Sequence, residues 1–215
     1  MTFVTVERKI LEKNDQIAAS NRELFTKKKI TAFNLLSSPG SGKTTILERI
    51  LPKINDIKCS VIEGDVQTDR DAQRINNLGI PVVQIVTHGG CHLDANLVKD
   101  ALQNLDITRI RLLFIENVGN LVCPANYDLG EKLKIVIMST TEGDDKPLKY
   151  TTIFRTADVC IINKIDLLPY VDFNPDTAKK NALKINPELS FFQVSAKTGE
   201  GINELTDWFR KQGHK

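Results

Sequence analysis

The chain has 215 residues, 41% apolar and 26% charged, an ordinary globular composition that excludes wholesale disorder. Lys and Arg total 29 against 27 Asp and Glu, and a net charge of +2 is too small for a nucleic-acid footprint. No apolar run reaches the ~20 residues of a membrane span, and Met1 to Lys13 carries charges where a secretory leader needs its apolar stretch, so the expected address is cytoplasmic.

Phe3, Ile10, Ile17 and Leu24 recur at heptad spacing through a charged segment and predict an amphipathic helix at the front, lying on the domain's own core or on a partner. Lys27-Lys28-Lys29 reads as a solvated connection, so residues 1–29 are a helix plus basic connection ahead of one domain over 30–215. Apolar runs then end at Leu36, Ile62 and Val86, and recur over Leu112–Ile115, Ile135–Met138, Val159–Ile162 and Phe191–Val194. Segments of helical length separate them: Thr45–Lys53, Asp69–Leu78, Asp94–Leu105, Pro175–Ile185 and Ile202–Lys211. Continuous β-branched runs alternating with such helices predict a three-layer α/β fold, a mostly parallel sheet covered by helices on both faces, with ligands at the carboxyl ends of its strands.

The first of those strands leads into Ser37-Ser38-Pro39-Gly40-Ser41-Gly42-Lys43-Thr44-Thr45. This is a phosphate-binding loop, with Ser37 where the usual pattern has its first glycine, and it makes the fold that of a P-loop NTPase. Gly40 and Gly42 let backbone N–H groups of Ser38 to Thr45 turn toward a phosphate, and the helix that follows adds a favourable partial charge. Lys43 supplies a cation for the β- and γ-phosphates, and Thr44 offers a hydroxyl to Mg²⁺.

Farther along, Asn163-Lys164-Ile165-Asp166 closes a strand. A carboxylate there accepts from guanine N1–H and the N2 amine, a donor pair adenine lacks, which selects GTP over ATP and argues against a P-loop kinase. Ser195-Ala196-Lys197 is either the loop closing over the base or a helix-capping turn. Between the phosphate and base motifs lies Glu116-Asn117-Val118-Gly119. Glu116 is a candidate for the Mg²⁺ shell through a water, and Gly119 keeps an N–H for the γ-phosphate. Asp65, in Glu63-Gly64-Asp65, is a second candidate for Mg²⁺ or for orienting the attacking water, or else a helix cap. No glutamine or arginine finger stands out, so slow hydrolysis is expected.

Four cysteines occur, Cys59, Cys91, Cys123 and Cys160, and in a reducing compartment they are thiols. Cys59 and Cys160 sit inside apolar strands and read as core. Cys91, His92 and Cys123 are right for Zn²⁺ or Ni²⁺ and wrong for Mg²⁺, although their spacing alone is equally that of inert thiols. Position favours the metal: Cys123 rides on the segment that carries Gly119, so nucleotide state could move a ligand directly. His88 is an extra donor or a solvated loop histidine.

Taken together, Ser37 to Thr44, Glu63 to Asp69, Cys91-His92-Leu93-Asp94-Ala95, Glu116 to Pro124 and Thr141 to Tyr150 resemble the hydrogenase nickel-incorporation GTPases, relatives of the urease accessory GTPase. The resemblance implies GTP hydrolysis with Mg²⁺ and a Ni²⁺ or Zn²⁺ site at Cys91, His92 and Cys123 near a subunit interface. It also implies a nucleotide-dependent homodimer, delivery to the hydrogenase large-subunit precursor and a small partner metallochaperone. Lys146 or Lys149 would reach the neighbouring subunit's nucleotide. A urease-type GTPase is disfavoured by Cys123-Pro124-Ala125, where those proteins present Cys-Pro-His; a metal carrier that binds nucleotide with little turnover is the other alternative. No Cys precedes Cys59 and no His precedes His88, so the segment-linked site is expected to do the metal work.

Overall fold

The computed structural model describes residues 6–214. Its strands are β1 (Thr31–Ser37), β2 (Cys59–Asp65), β3 (Val82–Val86), β4 (Leu112–Glu116), β5 (Leu133–Ser139), β6 (Val159–Asn163) and β7 (Ser190–Gln193). Its helices are α1 (Val6–Lys28), α2 (Lys43–Ile50), α3 (Arg70–Asn76), α4 (Ala95–Leu102), α5 (Lys146–Lys149), α6 (Thr151–Thr156), α7 (Pro175–Ile185) and α8 (Ile202–Gly213). Among the described residues no helix is long and apolar enough to cross a membrane.

The strands form one sheet in the order β3-β2-β4-β1-β5-β6-β7, and every pair is parallel. Alternate side chains bury on opposite faces, as the strand period of two requires. Phe33, Leu35, Val61, Phe114, Ile135 and Ile161 join α2, α3 and α8 in one core layer. Leu36, Val136 and Ile162 pack on α6 and α7, and Ala32, Ile62 and Ile115 on α1 and α4, on the other. Both faces are therefore covered, which is why the strands read as continuous apolar runs. The order reverses between β4 and β1, the crevice where such sheets bind ligands.

The front helix forms, but its seam differs from the expected heptad. Ile10 is 50% exposed, whereas Asn14, Ala18, Asn21 and Phe25 are buried; Phe3 lies outside the described residues. The docked face selects small and hydrogen-bonding side chains, which an apolar count passes over. Lys27 and Lys28 likewise belong to the last turn of α1, where cations suit the helix dipole, and only Lys29, at φ 56°, leaves it.

Candidate functional site

The carboxyl ends of β1, β2, β4 and β6 bring the nucleotide motifs together. Gly40 and Gly42 have φ of 74° and 96°, the left-handed region that lets the phosphate loop turn. Gly42 is needed twice over, since a Cβ there would lie 2.5 Å from Asn163 Nδ2. Lys43 Nζ donates to Ser37 Oγ at 2.9 Å, so Ser37 holds the lysine head beside the loop. Thr45 Oγ1 accepts from Arg74 and faces α3. One carboxylate bridges the loop from outside: Glu142 accepts from Ser38 Oγ and Ser41 Oγ, each at 2.7 Å. Composition gave no hint of Glu142, and only its place in the Thr141–Tyr150 run marked it.

Asn163 and Asp166, expected on the base side, lie at the end of β6 beside the phosphate loop. Asn163 Nδ2 donates to the Ser41 carbonyl at 2.8 Å, and its Oδ1 accepts from Ala196 N–H at 3.1 Å. Lys164 Nζ reaches the Gly40 carbonyl at 2.8 Å. Asp166 Oδ1 accepts from Ser195 Oγ at 2.6 Å, and the same hydroxyl accepts from Thr198 N–H. Ser195 thus makes the turn and also faces Asp166. Lys197 is exposed, and its carbonyl accepts from Arg49.

A carboxylate cluster faces Thr44. Thr44 Oγ1 donates to Glu116 Oε1 at 2.7 Å, and Glu116 sits directly opposite Glu63 in the β2–β4 register. Glu63 is 2% exposed and Glu116 3%, yet Oε2 of each is buried with no hydrogen-bond partner. Burial first, then the nearby charges of Glu116 and Asp65, push the Glu63 carboxyl up to about 8. Burial raises Glu116 as well, against the opposing pull of Lys43. Glu63, Asp65 and Asp71 offer oxygens within 4.8 Å of one another. Orphaned buried carboxylate oxygens are costly without a counter-ion, so the donor set fits a hard divalent cation. Asp65 Oδ1 also accepts from Gln67 and Thr68 N–H, which fixes its turn. Sequence reasoning passed over Glu63, because a lone glutamate inside a strand carries no spacing signal.

Cys91, His92 and Cys123 converge. Their ligand atoms lie within 4.8 Å of one another, with Cys91 Sγ 3.5 Å from His92 Nδ1. The two halves arrive from different loops, one ahead of α4 and one in the turn Cys123–Asn126. Burial lowers the His92 pKa and keeps the imidazole neutral, and its ring lies against Tyr127 at 3.9 Å between centroids. The hydrogen bond with Cys123 raises the Cys91 thiol, so a bound cation must displace a proton. His88 is exposed and outside the cluster. Cys59 and Cys160 are buried on opposite faces of the sheet, and burial pushes the Cys59 thiol to about 12.

The phosphate loop and the Cys91–His92 loop both meet the stretch after β4. A Cβ on Gly119 would come within 2.9 Å of Pro39 Cα, so this segment lies against the phosphate loop. Asn117 Oδ1 accepts from Leu93 N–H at 3.0 Å, tying the same segment to the Cys91–His92 loop. Lys146 contacts Glu142 at 3.5 Å and the Tyr150 ring, while Lys149 pairs with Asp145 at 2.6 Å.

Residues 31–193 match the family model described as CobW/HypB/UreG, nucleotide-binding domain. The chain is 52% identical over 207 residues to hydrogenase maturation factor HypB of Rhizobium leguminosarum, covering 96% of this chain and 69% of that protein. It is 48% identical over 211 residues to that of Escherichia coli, covering 98% and 73%. The crystal structure of HypB from Helicobacter pylori in complex with nickel superposes with a TM-score of 0.90 at 40% identity, over 94% of this chain and 95% of that one. The chain belongs to the CobW/HypB/UreG nucleotide-binding family, in its hydrogenase maturation factor branch.

Proposed function

We propose that this protein is a GTPase that couples the state of its nucleotide to nickel handling in hydrogenase maturation. One observation carries the reading. The stretch from Glu116 to Cys123 packs on the phosphate loop through Gly119 and holds the Cys91–His92 loop through Asn117, so one segment serves both sites.

Asp166 accepts from the guanine edge, kept in line by Ser195 Oγ, while Asn163 and Lys164 bind the base loop to the phosphate loop. Lys43 turns from Ser37 Oγ onto the β- and γ-phosphates, and Gly119 N–H meets the γ-phosphate. Thr44, Glu116 and Asp65 would hold Mg²⁺, which when bound supplies positive charge beside the phosphates. Glu63, protonated, is a neutral neighbour there; deprotonated, it adds a charge that favours the cation. Asp65 orients the attacking water. With no arginine finger assigned within the chain, turnover is slow until a partner contributes.

Nickel is the cargo, held by the Cys91 and Cys123 thiolates and neutral His92; zinc suits the same donors. A nucleotide-dependent homodimer is supported by apolar exposure beside the site: Val122, next to Cys123, is 63% exposed and Leu148 46%. A cleft of about 290 Å³ lined by Ser38, Pro39, Gly119, Val122, Lys146 and Tyr150 opens on the same edge, where Lys146 could meet a second protomer's nucleotide. A small metallochaperone and the hydrogenase large-subunit precursor are the partners this role requires, in a reducing cytoplasm.

Nickel titration of protein loaded with GDP and with a non-hydrolysable GTP analogue tests the coupling. Different affinities are expected, both lost in Cys123→Ala with GTP binding retained. Equal affinities would leave a GTPase without a metal switch.

A further inference from the structure

Two asparagines on the buried face of α1 reach past the core. Asn14 Oδ1 accepts from Ala95 N–H at 2.9 Å, and its Nδ2 donates to the Asp128 carbonyl at 2.8 Å. Asn21 Nδ2 donates to the Ala95 carbonyl at 2.9 Å and to the Leu129 carbonyl at 3.1 Å. Ala95 lies just past Cys91–His92, and Asp128–Leu129 follow Cys123 and the Tyr127 ring that backs His92. Each asparagine therefore holds one point on each arm of the thiolate–imidazole cluster. We propose that α1 is the clamp of that cluster, with Asn14 and Asn21 as positioning residues that fix the Cys91–His92 arm against the Cys123 arm.

The side-chain chemistry argues for a positioning task. A helix that needed only to adhere would present leucines at these places, since a buried amide must be fully paired or it costs about 1–3 kcal/mol. Asn14 is 5% and Asn21 2% exposed, and backbone groups of the two arms pair with both ends of the Asn14 amide and take both hydrogen bonds of the Asn21 nitrogen. The helix also meets the second arm at backbone distance: a Cβ on Gly130 would fall 2.6 Å from the Ala18 carbonyl. A second route closes the frame. Leu129 N–H donates to Glu131, Glu131 accepts from Asn34, Asn34 accepts from Asn117, and Asn117 accepts from Leu93 N–H. Both arms are thus referenced to α1 and to the γ-phosphate segment through buried amides. Outer partners that orient metal ligands commonly change affinity 10–100-fold when removed.

This rests on Cys91, His92 and Cys123 binding nickel. In the full chain, Ni²⁺ is titrated and read by its thiolate charge-transfer absorption, with GDP affinity and Tm measured on the same samples. Asn21→Leu, which removes both N–H donors while keeping the branching and heavy-atom count of the side chain, is expected to weaken nickel at least tenfold and leave GDP affinity within twofold. Phe25→Leu loosens the apolar seat of α1 but leaves the four asparagine bonds in place, and is expected to lower Tm with nickel affinity within twofold. Asn14→Asp keeps the acceptor for Ala95 and loses the donor to Asp128, so an intermediate loss is expected, and it decides the matter if Asn21→Leu does not fold. Asparagine variants that bind nickel like the parent would overturn the clamp. Phe25→Leu matching the nickel loss of Asn21→Leu would do the same, reducing α1 to a generic support. A parent whose nickel survives Cys91→Ala overturns the site reading itself, and the clamp with it.

Discussion

Burial and the carboxylates of Glu116 and Asp65 push Glu63 up to about 8, so the nucleotide-free chain holds that proton at pH 7. An unfolded glutamate releases it near ~4.3. Between those values the folded state binds more protons than the unfolded one, so the contribution of Glu63 to stability is complete below the lower value, falls as pH rises and is gone above the upper. Glu63→Gln is always neutral. In the presence of chelator its Tm is expected to gain on the parent between pH 5 and 8 and to run parallel above; parallel curves throughout would show that Glu63 ionises normally. Asp166→Asn exchanges an acceptor of two hydrogen bonds for one acceptor and a donor. With a polar group left unpaired at about 1–3 kcal/mol, GTP binding should drop roughly 10–100-fold and preference shift toward a xanthine nucleotide, read by competition. Asp166 could be proposed as the guanine-reading carboxylate from the chain alone because Asn163-Lys164-Ile165-Asp166 forms a motif around it. Glu63 and Glu142 could not: each is a single acidic residue whose role comes from the strand or loop placed opposite it.

At the scale of elements, α4 is the helix on which the Cys91–His92 arm ends. Asp94 caps it by accepting from Leu97 N–H at 2.8 Å, and Asp94→Ala should cost ~1 kcal/mol in urea unfolding. An unchanged midpoint would mean that another group satisfies that end. All seven strands could be read from the chain because the inner ones are buried on both faces and even the half-buried edge strands β3 and β7 keep a short apolar run. The pair α5 and α6 escaped notice: Lys146–Lys149 and Thr151–Thr156 are too short to display a period, and Pro147 opens the first. In α1 the helix was legible and its face was not, since Asn14 and Asn21 are buried by hydrogen bonds that hydropathy does not register.

Across the whole molecule, the layer containing α8 centres on Phe33, Phe114 and Phe209, with ring centroids 5.0 to 5.2 Å apart. Phe209→Ala removes the α8 member of that triad and should destabilise the fold by about 3–5 kcal/mol; a loss under 1 kcal/mol by chemical denaturation would mean that α8 is peripheral. The sheet's strand order was beyond reach of the sequence, because a period of two tells which face a residue takes and nothing about its neighbour strand. That the phosphate-loop, Asn163 and carboxylate motifs would gather at the carboxyl edge was foreseeable from the parallel architecture alone. One amide spans that edge: Asn163 grips Ser41 with its nitrogen and Ala196 with its oxygen. On the proposed reading, purine slot and triphosphate cradle share a rivet, and a guest that fills only one end cannot brace the other. Guanosine and inorganic triphosphate, supplied separately, would each be held far more loosely than their sum suggests, and the intact nucleotide must let go at both ends together before it can be exchanged.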